Sequence, residues 1–334
     1  MTRTRLHVAL LGLLLVAANA GAQTLVVLNK SEQSASLIDP TNGTTIAKLP
    51  VGRGPHELAI SSDGQTAYVA NFGRFGVFPA GDTMHTKPGN TVTVLDLANR
   101  RVQTTFDFGT HTGQHGVATS KDGSRVWFTS ETPNALLEVE AATGKILHVW
   151  PTEQQRTHLV VPSPDEKRFY ITNTVSGSLT IVDRATGNAK SIPIGAGAEG
   201  ITVSPDGKEI WVAWRNDSKI SIVSATTDAV IETFSSAGEG PQRIQFTPDG
   251  LQVWASNVRS NTLTAFDAKT HKLLGTVSVG AGPAGIVFSP DGKLGYFALS
   301  GANQIAVIDV AGRKVLRTIT TGVEPDGIAL AIRR

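Results

Sequence analysis

The chain of 334 residues contains no cysteine. That excludes a disulfide scaffold, thiolate metal ligands, a lipoprotein acyl site and covalently attached c-type haem. Packing alone must hold the fold. Aromatic residues are 6% and charged residues 17%, against 34 glycines, a balance that suits an all-β chain with many turns. No charge of one sign prevails: beyond the first 22 residues, 28 basic side chains face 28 acidic ones. Nucleic acid or an anionic membrane surface needs clustered positive charge, so neither is expected as a partner. Gly-rich stretches such as residues 195–197 lead into no helix and are not phosphate loops, and no Gly-x-Ser-x-Gly nucleophile turn occurs.

One long apolar run exists, over residues 8–17, preceded by Arg3 and Arg5 and followed by the small-residue stretch Ala18-Asn19-Ala20-Gly21-Ala22. Residues 1–22 read as a secretory signal, which makes the mature protein periplasmic or secreted. An uncleaved anchor is the alternative reading of this run. No later stretch is long and apolar enough to span a bilayer, so no membrane span is expected after cleavage.

What fills the remaining chain is a repeat. Residues 281–300 read as a short strand, a Ser-Pro-Asp-Gly turn and a second strand. Pro and Gly set the turn dihedrals, and the Asp side chain caps its own turn. Variants recur with turn aspartates at Asp63, Asp122, Asp165, Asp206, Asp249 and Asp291, spaced by 59, 43, 41, 43 and 42 residues. Five residues after each stands an aromatic: Tyr68, Trp127, Tyr170, Trp211, Trp254 and Tyr296. A period of roughly 40 is that of a propeller blade, and the aromatics read as blade-to-blade packing. The N-terminal unit, residues 23–52, lacks its first strand. That strand is found at the other end, in Pro325-Asp326-Gly327-Ile328-Ala329-Leu330. The expected architecture is therefore all-β: a seven-bladed β-propeller of four-stranded antiparallel blades over residues 23–334, closed by a composite N-/C-terminal blade.

The 59-residue spacing places an insertion at about residues 72–88, between the second and third strands of blade one. Its apolar content (Phe72, Phe75, Phe78, Met84) together with His85 points to a lid or contact surface, or else to a loop packed on its own blade.

The segments Tyr68-Val69-Ala70-Asn71 and Tyr170-Ile171-Thr172-Asn173, with the Ser-Pro-Asp-Gly turns, resemble the YVTN family of β-propeller repeats. The resemblance covers residues 23–334 and implies a seven-bladed, often exported propeller. It implies little about activity, because related propellers include lactone-cleaving enzymes, lyases, ligand binders and accessory proteins. Trp214 and Leu299 stand where the pattern ends in Asn, so any role of that Asn is not ring-wide.

Chemistry is expected seven residues before each turn Asp, at the start of the innermost strand. There stand His56, His115, His158, Glu199, Gln242, Ala284 and, by extension, Asp326. Two residues further the strands are aliphatic: Leu58, Val117, Val160, Ile201, Ile244, Ile286 and Ile328. Polarity is thus concentrated at one end of the central channel. Three imidazoles beside a carboxylate suit a divalent transition metal (Zn, Cu, Fe or Ni) on His56, His115 and His158, with Glu199 as a further ligand or as a catalytic base. His85 and His111 are candidates to reach the same mouth. Gln242, Asp326, Asn71, Asn173, Arg156 and Arg215 are the candidate ligand-binding groups around it, the arginines favouring an anionic ligand. Blander readings stand beside these: a water-filled channel end, solvated loop arginines, and asparagines that cap their own loops.

The function expected is that of an exported propeller binding a small ligand, with a metal ion, at this mouth. A metal-dependent lyase or lactone hydrolase on the same ring is the alternative. A scaffold for an exported partner protein, without a small ligand, is the third.

Overall fold

A computed structural model describes residues 23–73 and 87–333. Seven four-stranded antiparallel sheets stand around one axis, and no helix among the described residues is long and apolar enough to cross a membrane. Six blades are continuous meanders. The seventh pairs Pro325–Ile332 with Gln23–Asn29, then Ser34–Ile38 and Thr45–Pro50. The register Leu25↔Leu330 and Val26↔Ala329 closes the ring with backbone hydrogen bonds between the two ends of the chain. Closure gives the N-terminal strand a partner at the other end of the chain, so the seventh blade is as complete as the others.

The turn chemistry explains the repeat. In blade one the Ser61 hydroxyl donates to Asp63, the Asp63 carboxylate accepts from the Gln65 amide at 3.0 Å, and the Thr66 amide donates to Ser61 Oγ at 2.9 Å. The next residue needs a left-handed backbone, supplied by Gly64 at φ +74°. Blade three places Glu166 there at φ 57°. Its side chain accepts a hydrogen bond from the Lys121 amide of the neighbouring blade at 2.6 Å.

Cores lie between blades rather than within them. Tyr68 packs with Val126 and Phe128 of blade two. Trp127 packs with Phe169 and Ile171 of blade three, and the series continues through Tyr170, Trp211, Trp254 and Tyr296. In the composite blade Val26 takes the aromatic's place and packs with Leu58 and Val69. Each interface is thus a separate apolar layer, and burial of these large side chains supplies most of what a chain without disulfides needs.

Candidate functional site

Each innermost strand enters the channel through an irregularity. Its register against the second strand shifts between Pro55 and Glu57 in blade one, Gln114 and Val117 in blade two, and Thr157 and Val160 in blade three. Blades four, five and six shift between Ala198 and Ile201, Pro241 and Arg243, and Pro283 and Ile286. A bulge of this kind re-aims a side chain. The residues inside or beside these shifts are the seven of the expected ring, all of them buried. Second-strand hydroxyls stitch the ring together. Thr129 accepts from the Gly116 amide at 2.8 Å and donates to the His158 carbonyl at 2.6 Å; Thr172 likewise donates to the Glu199 carbonyl at 2.9 Å.

The three histidines are neighbours. Ring centroids lie 4.9 Å apart for His56 and His115 and 3.7 Å apart for His115 and His158. Phe72, the first residue past the second strand of blade one, meets His56 and His115 edge-on at 4.8 and 5.0 Å. His158 Nε2 stands 3.9 Å from Glu199 Oε1. The imidazoles lie tilted against one another, and among the described residues no group of three or more His, Asp or Glu side chains is disposed to hold a metal ion. The insertion tip with His85 lies outside the described residues, as does the leader over residues 1–22. The insertion's two ends meet at the mouth, where the Gly89 amide donates to the Phe72 carbonyl at 2.7 Å.

Burial, with Lys30 nearby, pushes the His56 imidazole down to about 3. Burial and the adjacent His158 and His56 hold His115 well below its ordinary value. Both rings are neutral at physiological pH. Burial also works against a charged Asp326, but Lys30 and Arg243 outweigh it and hold that carboxyl below its usual range.

The arginines expected to await an anion are already engaged. Arg215 Nη1 lies 3.4 Å from Glu199 Oε2, and Arg156 Nε lies 3.7 Å from Glu131 Oε1. Arg259 donates to the Arg215 carbonyl at 2.7 Å. Asn71 and Asn173 turn into their blades, where their amides donate to Thr93 and Thr180 on the third strands at 3.0 and 2.9 Å. They act as clips between strands. Gln242 is buried at the mouth with no hydrogen-bond partner for its Oε1.

Two features escaped the sequence reading. The first is a second ring, nine residues past each turn Asp: Phe72, Glu131, Thr174, Arg215, Val258 and Ser300, with Lys30 as the composite-blade member. Lys30 is only 1% exposed and pairs with Asp326 at 3.1 Å and Glu324 at 3.4 Å. The second is a bar across the channel. Arg243 Nε donates to Glu57 Oε1 at 2.8 Å from the far side of the ring, and its Nη1 reaches Glu199 Oε1 at 3.3 Å. Burial opposes the guanidinium charge, yet Glu57, Asp326 and Glu199 outweigh it and keep Arg243 protonated. Beyond the bar is a cavity of about 140 Å³ lined by Val117, Val160, Ile201, Ile244, Ile286 and Ile328. The channel therefore has a polar chamber and an aliphatic one, separated by an ion pair.

Residues 187–289 match the family model of the YNCE-like beta-propeller. With the seven sheets, this places the chain in the class of β-propeller repeat proteins. No curated protein matches the chain. Among solved structures, it is similar to a functionally unknown protein from Desulfotomaculum acetoxidans, with 14% identity, 93% of this chain and 99% of that one covered, and a TM-score of 0.76. It is similar to the periplasmic gluconolactonase of Pseudomonas aeruginosa at 18% identity, 93% and 99% coverage, and a TM-score of 0.73. It is also similar to hydrazine synthase of Kuenenia stuttgartiensis at 16% identity, 82% and 88% coverage, and a TM-score of 0.69. At these identities the likeness is one of fold.

Proposed function

We propose that the protein is exported and binds a small polar molecule at the channel mouth, around His56, His115, His158, Glu199, Gln242 and Asp326. One observation carries this reading. His115 Nδ1, both His158 ring nitrogens, Gln242 Oε1 and Asp326 Oδ1 are buried there without hydrogen-bond partners. Buried polar atoms are nearly always satisfied, and a cluster that is not awaits water or a ligand. The test is calorimetry of the tag-free mature protein against a panel of sugars, sugar acids, lactones and amines. Binding that His115→Ala abolishes supports the site. Binding that survives the substitution places it elsewhere.

A second reading is lactone hydrolysis, favoured by the approach of Glu199 to His158 and by the gluconolactonase among the similar folds. Glu199 would take a proton from water as its oxygen attacks the lactone carbonyl. The ring C–O bond then breaks, and the leaving oxygen takes a proton to give the hydroxy acid. Turnover lost in Glu199→Gln at unchanged melting supports it; no turnover across a lactone panel removes it. A divalent ion (Zn, Cu, Fe or Ni) on the three imidazoles is a further form of the proposal, favoured by the unpartnered nitrogens of His115 and His158. Elemental analysis before and after chelation decides that point. If no small molecule binds, the same face falls to a partner protein.

A further inference from the structure

The mouth's own inventory of hydrogen-bond groups specifies what kind of molecule it takes. Among the described residues, the cations that reach into it are all engaged: Lys30 by Asp326 and Glu324, Arg215 by Glu199, and Arg243 by Glu57 and Glu199. The four carboxylates they meet outnumber these three cations. The carboxylate and amide atoms left over, Asp326 Oδ1 and Gln242 Oε1, can only accept. Each neutral imidazole adds one more acceptor nitrogen to its single N–H. Phe72 closes one side with an aromatic ring against His56 and His115. Among the described residues, a carboxylate or phosphate entering this space meets no uncommitted cation, only neutral donors such as the imidazole N–H groups and the Thr174 hydroxyl beside several lone pairs. An ammonium group meets acceptors, a carboxylate surplus and an aromatic ring.

We infer that the mouth selects a small organic ammonium ligand, such as a polyol carrying a primary amine, over its neutral and carboxylate counterparts. The inference rests on the mouth being the ligand site. It replaces the anionic ligand that Arg156 and Arg215 pointed to in the sequence, because those side chains are held by Glu131 and Glu199.

Three open-chain polyols that differ only at the first carbon make the test: glucamine (an ammonium), sorbitol (a hydroxyl) and gluconate (a carboxylate). Titration of each into the mature protein at pH 7 should give glucamine at least tenfold tighter than sorbitol, with gluconate weakest. Gluconate binding as well as or better than glucamine overturns the inference while leaving the mouth as a site. Silence from all three also overturns it, and the broader panel then judges the site independently. Gln242→Leu removes the unpartnered Oε1 acceptor, together with the amide N–H groups, without altering charge. It should weaken glucamine at least fivefold at an unchanged or higher melting temperature; unchanged glucamine affinity in this variant counts against the inference.

Discussion

Acidification between pH 7.5 and pH 5 should destabilise this protein through two side chains. His56 and His115 are buried as neutral rings, the first pushed down to about 3 and the second held well below its ordinary value. In the unfolded chain both would titrate near pH 6.5. Between those values the unfolded state binds more protons than the fold, so stability is complete above about pH 6.5 and falls as the pH drops. His56 loses about 1.4 kcal/mol per pH unit in that window, or roughly 2 kcal/mol at pH 5, and His115 adds a loss of the same sign. For a domain of about 300 residues the His56 share alone is a loss of about 3 °C in Tm. Glu57 acts in the opposite sense, because burial pushes its carboxyl up against the pull of Arg243, and it trims the effect. The turn aspartates Asp63 and Asp291 have lowered values, and Asp122, Asp165 and Asp206 lie near 2, so their contribution is lost only at lower pH. The assay is scanning calorimetry across this range at constant ionic strength, for the wild type and for His115→Asn. The variant should lose measurably less Tm on acidification than the wild type. Equal pH slopes in the two proteins would refute the claim that the ring histidines are buried uncharged.

Two further outcomes follow from the channel. Arg243→Met leaves Glu57 and Glu199 facing one another without their shared cation. It should cost about 3–5 kcal/mol in denaturant unfolding, and adding Glu57→Leu and Glu199→Gln should recover most of it; no recovery would mean that Arg243 acts through packing instead. Gly285→Ala should cost about 1–3 kcal/mol, because a Cβ there would sit 2.2 Å from the Asp326 carbonyl of the next blade. An unchanged midpoint would show that the neighbouring inner strands can part.

Blade number, the composite closure and the polar ring could all be read from the spacing of the turn aspartates. The reason is physical: each blade repeats one turn, one aromatic anchor and one inner-strand start, so equivalent residues share a radius and a height. The bar was hidden because strand alternation assigns residues six before the turn to the face opposite the ring. Glu57 and Arg243 occupy that position, and both line the channel cavity. The register shift at the head of each inner strand breaks the alternation and brings consecutive residues inward. Lys30 was missed for a different reason. Its partner strand lies at the other end of the chain, so nothing local to residues 28–32 marks it as buried. The position nine after each turn would have revealed it, had the repeat register been carried through the closing blade.

The polar ring is not something the architecture demands. Two residues along the same strands, every blade offers an aliphatic side chain, and the cavity there is aliphatic apart from Glu57, Arg243 and Gln245. A chain that needed only to close a propeller could line the other end in the same way and avoid desolvating three imidazoles, an amide and several carboxylates. Instead, His115, His158, Gln242 and Asp326 on four of the seven blades leave part of their hydrogen-bonding capacity unused, with Glu199 between them. Replacing an unsatisfied buried polar group by an apolar one is typically neutral or stabilising. A mouth that gains stability when Gln242 becomes Leu, and loses ligand affinity by the same change, would be one where folding stability has been given up for recognition.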